Sequence, residues 1–158
     1  MSGTRRCVVI GIGNEYRRDD GFGPAVVARL AERRHVDPAL ATIDLVTSDG
    51  EPTRLLDLWT GIDLAVVVDA VRDGGDHGGH RYELVLDELD GLAGERSGSS
   101  HGIGLGSTVE LGRALGRLPR RLVVLAVGAG EFGFGVGLTR EVAAAVEPVA
   151  DRVRDLVA

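Results

Sequence analysis

The chain has 158 residues, of which 44% are hydrophobic and 27% are charged, and its formal charge is −6. This length and composition are typical of one globular domain with its own core, so we expect residues 1–158 to form a single domain. The negative charge argues against nucleic acid or an anionic membrane as the partner. No apolar stretch approaches the roughly 20 residues that cross a bilayer, so we expect no membrane insertion.

Three further features restrict the chemistry and the cellular location. The chain contains no lysine, which excludes a lysine Schiff base and a phosphate-loop lysine. Residues 1–6 run directly into a strand-like segment without the pattern of a signal peptide. The single cysteine, Cys7, cannot form an internal disulfide and has the character of a small core residue. We therefore expect a cytoplasmic protein.

Short runs of apolar, mostly β-branched residues predict strands that are covered on both faces. These strands span residues 7–10, 41–46, 64–68 and 122–127. Residues 81–86 alternate polar and apolar side chains, which is typical of an edge strand. Helical patterns separate most of these strands, beginning near Pro24. Alternating strands and helices predict an α/β fold with an open, mostly parallel sheet.

Two later helices have predicted ends. Ser107 and Glu110 have the spacing of a capping box at the start of one helix. Its apolar face is predicted to consist of Leu111, Leu115 and Leu118. Thr139 is the predicted cap of the last helix, in which Pro148 predicts a kink or break near Glu147.

Acidic side chains follow three of the predicted strands. Asp20 stands after the first strand, Asp49 after the second and Asp69 directly on the third, while His101 precedes the predicted capping box. Ligands of open α/β sheets bind at the carboxyl ends of the strands. Two carboxylates and an imidazole suit a borderline divalent ion such as zinc or nickel. Such an ion polarises a carbonyl or lowers the pKa of bound water to about 7.

Each of these residues also has a purely structural interpretation. Asp20 could interact with the dipole at the start of a helix. Asp49 could be a turn residue, Asp69 could simply end its strand, and His101 could be a loop histidine. An acid that directly follows a buried strand is costly to bury without a partner, so the functional and the structural interpretation of Asp69 have equal weight.

The glycine-rich turn after the first strand suggests a second class of function. Gly11 and Gly13 match the beginning of a dinucleotide-binding motif. Tyr16, however, stands where that motif needs its third glycine. A nucleotide-binding domain is therefore the weaker alternative.

Taken in order, the motifs of this chain resemble those of the hydrogenase maturation endopeptidases. The motifs are Gly11-x-Gly13-Asn14, Asp19-Asp20-Gly21-x-Gly23, Asp49-Gly50, Asp69-Ala70, Ser100-His101-x-x-Gly104-Leu105, Gly137-Leu138-Thr139 and Glu147-Pro148. They extend over essentially the whole chain, although residues 72–98 match the family poorly and are a candidate segment for substrate choice. The resemblance implies a single-domain, three-layer α/β fold with a twisted, mostly parallel five-stranded sheet between helices.

The resemblance also implies an activity and a partner. The protein would remove the C-terminal extension of a nickel-loaded [NiFe]-hydrogenase large-subunit precursor, and it would do so as a monomer. The nickel would be supplied by the substrate, with zinc as a surrogate, and no tightly bound organic cofactor is expected. A non-catalytic metal checkpoint or chaperone for the same subunit would use the same ligands and stays an open alternative.

Family positions map onto individual residues of this chain. Asp20, Asp69 and His101 would contact the metal. Asp49 matches a further acidic position, and either Asp20 or Asp49 would be the general base. The turn at the site would be formed by Gly11, Gly13, Asn14 and Gly21.

Overall fold

A computed structural model describes residues 5–73, 78–87 and 105–158. At its centre is a five-stranded sheet in the order β2-β1-β3-β5-β4. The strands are β1 (Cys7–Ile12), β2 (Asp44–Ser48), β3 (Leu64–Arg72), β4 (Arg81–Asp87) and β5 (Arg121–Ala129). β4 is antiparallel to β5 at one edge, and the other pairs are parallel. The predicted α/β fold with a mostly parallel sheet is confirmed, as is the edge position of the 81–86 segment.

Helices cover both faces of this sheet. They are α1 (Phe22–Arg33), α2 (Pro52–Trp59), α3 (Gly106–Leu115), α4 (Arg140–Ala143) and α5 (Val146–Val157). One apolar cluster joins the sheet to α1, α4 and α5, and a second joins it to α2 and α3. In β3, Val66 and Val68 belong to the first cluster, whereas Ala65 and Val67 belong to the second. Burial on both faces explains the continuous apolar run of this strand. None of the described helices is long and apolar enough to cross a membrane.

β1 extends beyond its predicted end at residue 10. Gly11 pairs with Thr47 of β2 and with Val68 of β3, so it lies in the strand and not in the turn that follows. β1 ends at Ile12. The turn at the carboxyl edge of the sheet therefore begins at Gly13.

β3 is also longer than the sequence pattern indicates. Its pairing with β1 ends at Val68, but its pairing with β5 continues to Arg72. Asp69 therefore lies inside β3, at the point where β1 leaves the sheet, and the interpretation that it ends its strand is wrong. A polar residue within the strand broke the apolar run that defined the predicted end.

β2 begins later than predicted, at Asp44 instead of residue 41. A short 3-10 turn, Pro38–Leu40, occupies the preceding segment. Asp37 caps it, because its Oδ1 accepts a hydrogen bond from the Ala39 N–H at 3.0 Å. β2 therefore begins only after this 3-10 turn.

The capping box predicted for α3 is wrong, and the predicted apolar face is confirmed only at Leu118, which lies beyond the helix end and packs against the second apolar cluster. Leu105 is the N-cap residue, no side chain caps the helix, and Ser107 lies inside the first turn. Leu111 and Leu115 are exposed, and the helix packs instead through Val109 and Gly112. A Cβ on Gly112 would lie 3.1 Å from Leu56 of α2. The small residue permits a close helix–helix contact, which a search for large apolar residues overlooks.

The predicted break in the last helical segment is confirmed, but it lies before Glu147. α4 ends at Ala143, two turn residues follow, and α5 starts at Val146. A proline ring clashes with the carbonyl four residues earlier, which for Pro148 is that of Ala144. The break therefore lies at the residue whose carbonyl the proline excludes.

The start of α1 lies in very close contact with the ends of β1 and β3. A Cβ on Gly11 would lie 2.4 Å from the carbonyl oxygen of Gly23. A Cβ on Gly23 would lie 2.4 Å from the Ile12 carbonyl oxygen and 2.6 Å from that of Val68. Because these neighbours are backbone atoms, no side-chain rotation could relieve the overlap. Both positions require glycine for close approach.

We predict that Gly23→Ala lowers the free energy of unfolding by about 3 kcal/mol, because the extra methyl group pushes α1 off the sheet. Gly133→Ala is the matched control, since a Cβ there meets nothing within 4 Å. That variant is expected to stay within about 0.5 kcal/mol of the parent in urea unfolding. Equal stability of the two variants would contradict the packing described for Gly23.

Candidate functional site

The crevice between β1 and β3 is the topological switch point of the sheet. From β1, the chain passes to β2 on one side and then to β3 on the other. Connections that diverge in this way leave an opening at the carboxyl edge, where ligands of open α/β sheets bind. The last β1–β3 pair is Gly11 with Val68, so Asp69 is the first residue of β3 beyond it.

Asp69 is a half-buried carboxylate with an altered acidity. Its Oδ1 accepts a hydrogen bond from the Ala70 N–H at 2.8 Å. Burial raises the pKa of Asp69 to about 7, the Ala70 N–H lowers it in part, and the nearby negative charge of Asp20 raises it further. Asp20 is therefore close enough to Asp69 for its charge to add to this rise, and the two residues are here termed the coupled pair.

Asp20 lies in a 3-10 turn, Arg18–Gly21, immediately before α1. Its Oδ2 accepts a hydrogen bond from the Asn14 N–H at 3.0 Å. A Cβ on Gly13 would lie 1.8 Å from the Asp20 carbonyl oxygen, and Gly13 has a φ of 141°, in the region that favours glycine. The turn after β1 thus holds Asp20 through backbone contacts that only glycine permits.

Asn14 and Gly21 complete this turn. The Asn14 Oδ1 accepts a hydrogen bond from the Tyr16 N–H at 2.9 Å, which closes a local Asx turn. Gly21 is the N-cap residue of α1, and a Cβ there would lie 3.0 Å from the Cα of Glu15. Asp20 therefore does not cap α1 with its side chain.

The geometry of the turn disfavours the nucleotide-binding alternative. The space beside Gly11 is filled by the Gly23 backbone and is not open to a pyrophosphate. Two acids, Asp19 and Asp20, stand just before the start of α1, where a phosphate would need positive potential. The glycines serve chain packing.

Asp49 lies beside the carboxylate pair and not within it. It is exposed just after β2, and its Oδ1 accepts a hydrogen bond from the Glu51 N–H at 3.0 Å. Within residues 5–73, 78–87 and 105–158, no hydrogen bond joins Asp49 to Asp20 or Asp69. The turn after β1 is joined to the end of β2 by a backbone hydrogen bond, in which the Gly13 N–H donates to the Ser48 carbonyl at 2.9 Å. An open groove of about 550 Å³ is lined by Gly13, Thr47, Ser48, Asp49, Glu51 and Arg54.

His101, the third predicted metal ligand, lies outside the described residues. Leu105, four residues later in the chain, is buried in the α2–α3 cluster. Asp69 continues the strand alternation of Ala65 and Val67, which place it on that same face. In the part of the chain that the structure describes, no group of three His, Cys, Asp or Glu side chains could hold a metal ion. The described residues therefore supply two carboxylates, those of Asp20 and Asp69, as candidate metal ligands.

Asp19 is a buried residue for which the sequence indicated no role of its own. Its side chain is 1% exposed. Oδ1 accepts the Thr139 N–H at 2.7 Å, and Oδ2 accepts the Thr139 hydroxyl at 3.1 Å. Thr139 is the N-cap residue of α4, as predicted, but its side chain makes no capping hydrogen bond to that helix. The contact between Asp19 and Thr139 joins residues 120 positions apart, so no local pattern could reveal it.

The neighbouring acids Asp19 and Asp20 should respond differently to removal of the carboxylate. Asp19→Ala leaves the Thr139 N–H without its acceptor in a buried place, so we expect a loss of about 3 kcal/mol of unfolding free energy. Asp20→Ala removes one hydrogen bond, which lowers the unfolding free energy, and a negative charge near Asp69, which raises it. We therefore expect a net change within about 1 kcal/mol. Chemical denaturation measures both changes. Similar losses for the two variants would contradict the difference in burial and hydrogen bonding between Asp19 and Asp20.

The acidity of Asp69 predicts a pH dependence of stability. Because the folded pKa is raised from 3.8 to about 7, the contribution of Asp69 is fully present below pH about 4 and is lost as the pH rises through about 7. Asp69→Asn removes this loss, which is on the order of 4 kcal/mol. Urea denaturation between pH 4.5 and 8 should show the variant gaining stability relative to the parent as pH rises. Parallel pH profiles would contradict the raised pKa.

Comparison with known proteins identifies the family of the chain. The model of the hydrogenase maturation protease family matches residues 24–155. The hydrogenase expression/formation protein HupD of Rhodobacter capsulatus is 29% identical over 153 residues, which cover 96% of this chain and 71% of that protein. The hydrogenase 2 maturation protease of Escherichia coli is 26% identical over 148 residues, which cover 94% of this chain and 88% of that protein.

The fold leads to the same family. The solved structure of the hydrogenase maturating endopeptidase HybD from Escherichia coli is similar with a TM-score of 0.69 and 25% identity, over 94% of this chain and 89% of that one. The family resemblance seen in the ordered motifs is thereby confirmed. The chain belongs to the hydrogenase maturation protease family, and the protein is a hydrolase with an endopeptidase role.

Proposed function

We propose that the protein removes the C-terminal extension from the large-subunit precursor of a [NiFe]-hydrogenase after nickel has been inserted. The observation that carries this proposal is the coupled pair Asp20 and Asp69 at the switch point. Two carboxylates at close quarters repel each other when both are ionised, and a divalent cation between them removes the repulsion. A site of this kind recognises a cation that a substrate brings.

The donor chemistry fits nickel. Asp20 and Asp69 supply two oxygen ligands, and His101 would supply an imidazole nitrogen, a set that suits nickel or zinc. Nickel is part of the substrate in this proposal, so the protein completes the coordination of an ion that the precursor already holds. An ion held there would polarise the scissile carbonyl or a water molecule.

The acidity of Asp69 makes the pair responsive to the cation. With a pKa of about 7, Asp69 is largely protonated below neutral pH when no cation is present. Coordination requires the ionised form, so a bound cation displaces the proton. A precursor without nickel brings no cation to stabilise the ionised form of Asp69. This difference supports selective recognition of the nickel-loaded form.

The general base is Asp20 or Asp49. Asp20 is held by the Asn14 N–H at the centre of the site, whereas Asp49 is exposed in the adjoining groove. An extended peptide lying in that groove would pass Asp49 on its way to the carboxylate pair. If Asp49 is the base, Asp49→Asn lowers kcat but leaves the affinity for the loaded precursor unchanged; if Asp20 is the base, Asp20→Asn lowers both.

We expect cleavage of the nickel-loaded precursor by the parent protein, observed as a mass loss at its C-terminus. His101→Ala and Asp69→Asn should each slow cleavage by about a hundredfold or more, since even residues that only orient metal ligands contribute ten- to hundredfold. Asp155→Asn, an exposed acid on α5, is the matched control and should cleave normally. Mass spectrometry of loaded, zinc-loaded and unloaded precursor measures all cases.

Each result of this experiment is informative. Equal cleavage of loaded and unloaded precursor would refute metal recognition but not the protease activity. Retained activity in His101→Ala would remove that residue from the proposed ligand set. Tight binding of the loaded precursor without any mass loss would support the non-catalytic checkpoint instead.

A further inference from the structure

We propose that Tyr16, Phe134 and Val136 form a docking surface, here termed the apolar rim, for apolar side chains of the hydrogenase large-subunit precursor. This inference rests on the proposed function and names the surface that would hold its substrate. It is carried by exposure, by the hydrogen bonds that join two loops, and by continuity with Asp20.

The three side chains are unusually open to solvent. Phe134 is 98% exposed, Val136 74% and Tyr16 61%. Seven large hydrophobic side chains are exposed within the described ranges, and three of them stand on these two loops. Single exposed apolar residues need no explanation, but a cluster of them indicates a contact surface. Tyrosine and phenylalanine are also enriched at protein interfaces.

Backbone hydrogen bonds join the two loops that carry the rim. The Gly135 N–H donates to the Tyr16 carbonyl at 2.9 Å, and the Arg18 N–H donates to the Gly135 carbonyl at 2.9 Å. One loop follows β1 and the other follows β5, so both leave the carboxyl edge of the sheet. The two loops that carry Tyr16, Phe134 and Val136 therefore lie side by side at this edge.

The loop that bears Phe134 and Val136 is attached at both ends. Arg18 has a φ of 51°, a left-handed conformation that costs a non-glycine residue about 1–2 kcal/mol. Its Nε donates to the Gly137 carbonyl at 3.1 Å. The neighbouring Asp19 N–H donates to the Glu131 carbonyl at 2.8 Å. These contacts attach both ends of the loop that bears Phe134 and Val136 to the turn after β1.

The rim is continuous with the carboxylate pair. The Tyr16 N–H binds the Asn14 side chain, and the Asn14 N–H binds the Asp20 carboxylate. A folded precursor whose nickel reaches Asp20 would therefore lie over the adjoining rim. Charges of both signs flank the rim: Glu15 and Glu131 are exposed acids, and Arg17 is an exposed cation. The rim therefore lacks the cluster of basic residues that attracts an anionic lipid surface. A polypeptide with apolar side chains fits this chemistry.

The experiment compares Phe134→Glu with Val36→Glu. Val36 is 85% exposed and follows α1 at the opposite edge of the sheet, so it matches the exposure and the introduced charge without adjoining the site. Titration calorimetry with nickel-loaded precursor gives Kd, and mass spectrometry gives kcat and KM. For Phe134→Glu we expect Kd and KM to rise at least about tenfold and kcat to stay within about twofold of the parent. Val36→Glu should match the parent, and both variants should keep its Tm.

The outcomes separate this inference from the proposed function. Unchanged precursor binding by Phe134→Glu, with cleavage by the parent intact, would overturn the rim while the proposed function stands. Failure of the parent itself to bind or cut any loaded precursor would refute the proposed function, and the rim would fall with it. If ultracentrifugation shows that the parent self-associates through Phe134 and the variant binds precursor normally, the occupant is a second copy and the inference is wrong.

Discussion

The site depends on one backbone contact, between the end of β1 and the start of α1. Gly11 and Gly23 let the two segments approach so closely that a Cβ atom at either position would overlap backbone atoms. Gly23 also lies against the Val68 carbonyl of β3. This contact places the 3-10 turn that carries Asp20 beside the first residue of β3 beyond its pairing with β1. That residue is Asp69. The effect of Asp20 on Asp69 is therefore a consequence of how α1 packs on the sheet. That packing requires glycine, which has no side chain, at positions 11 and 23.

Two adjacent acids serve opposite purposes in this arrangement. Asp19 is buried and accepts two hydrogen bonds from Thr139, which fastens the loop after β5 to the turn after β1. Asp20 points its carboxylate toward the Asn14 N–H and influences Asp69. Asp19 stabilises the carboxyl edge of the sheet, and this offsets the repulsion between Asp20 and Asp69. A buried bracing acid and an acid of the proposed site thus occupy neighbouring positions of the same turn.

Much of the fold follows from the sequence because strands buried on both faces leave continuous apolar runs. The runs near Val66 and Val124 predicted β3 and β5 in this way, whereas Asp69 interrupted its run and concealed the last part of β3. Small residues misled the pattern, since α3 packs through Gly112 while its leucines are exposed. The contact of Asp19 with Thr139 spans most of the chain and leaves no local signal. Asp20 and Asp69 were foreseen at one edge because parallel strands align their carboxyl ends; the role of His101 stays a prediction.

The central claim is that Asp20 and Asp69 form a coupled pair in which burial dominates the acidity of Asp69. A carbon-13 NMR titration of the aspartate carboxyl groups in the metal-free protein tests it most directly. We expect an apparent pKa of about 7 for Asp69. In Asp20→Asn that pKa should fall, yet it should remain above the ordinary value of 3.8, because burial is the larger cause. An Asp69 that titrates near 4 in the parent protein, or one that is indifferent to Asp20→Asn, would contradict the paired site.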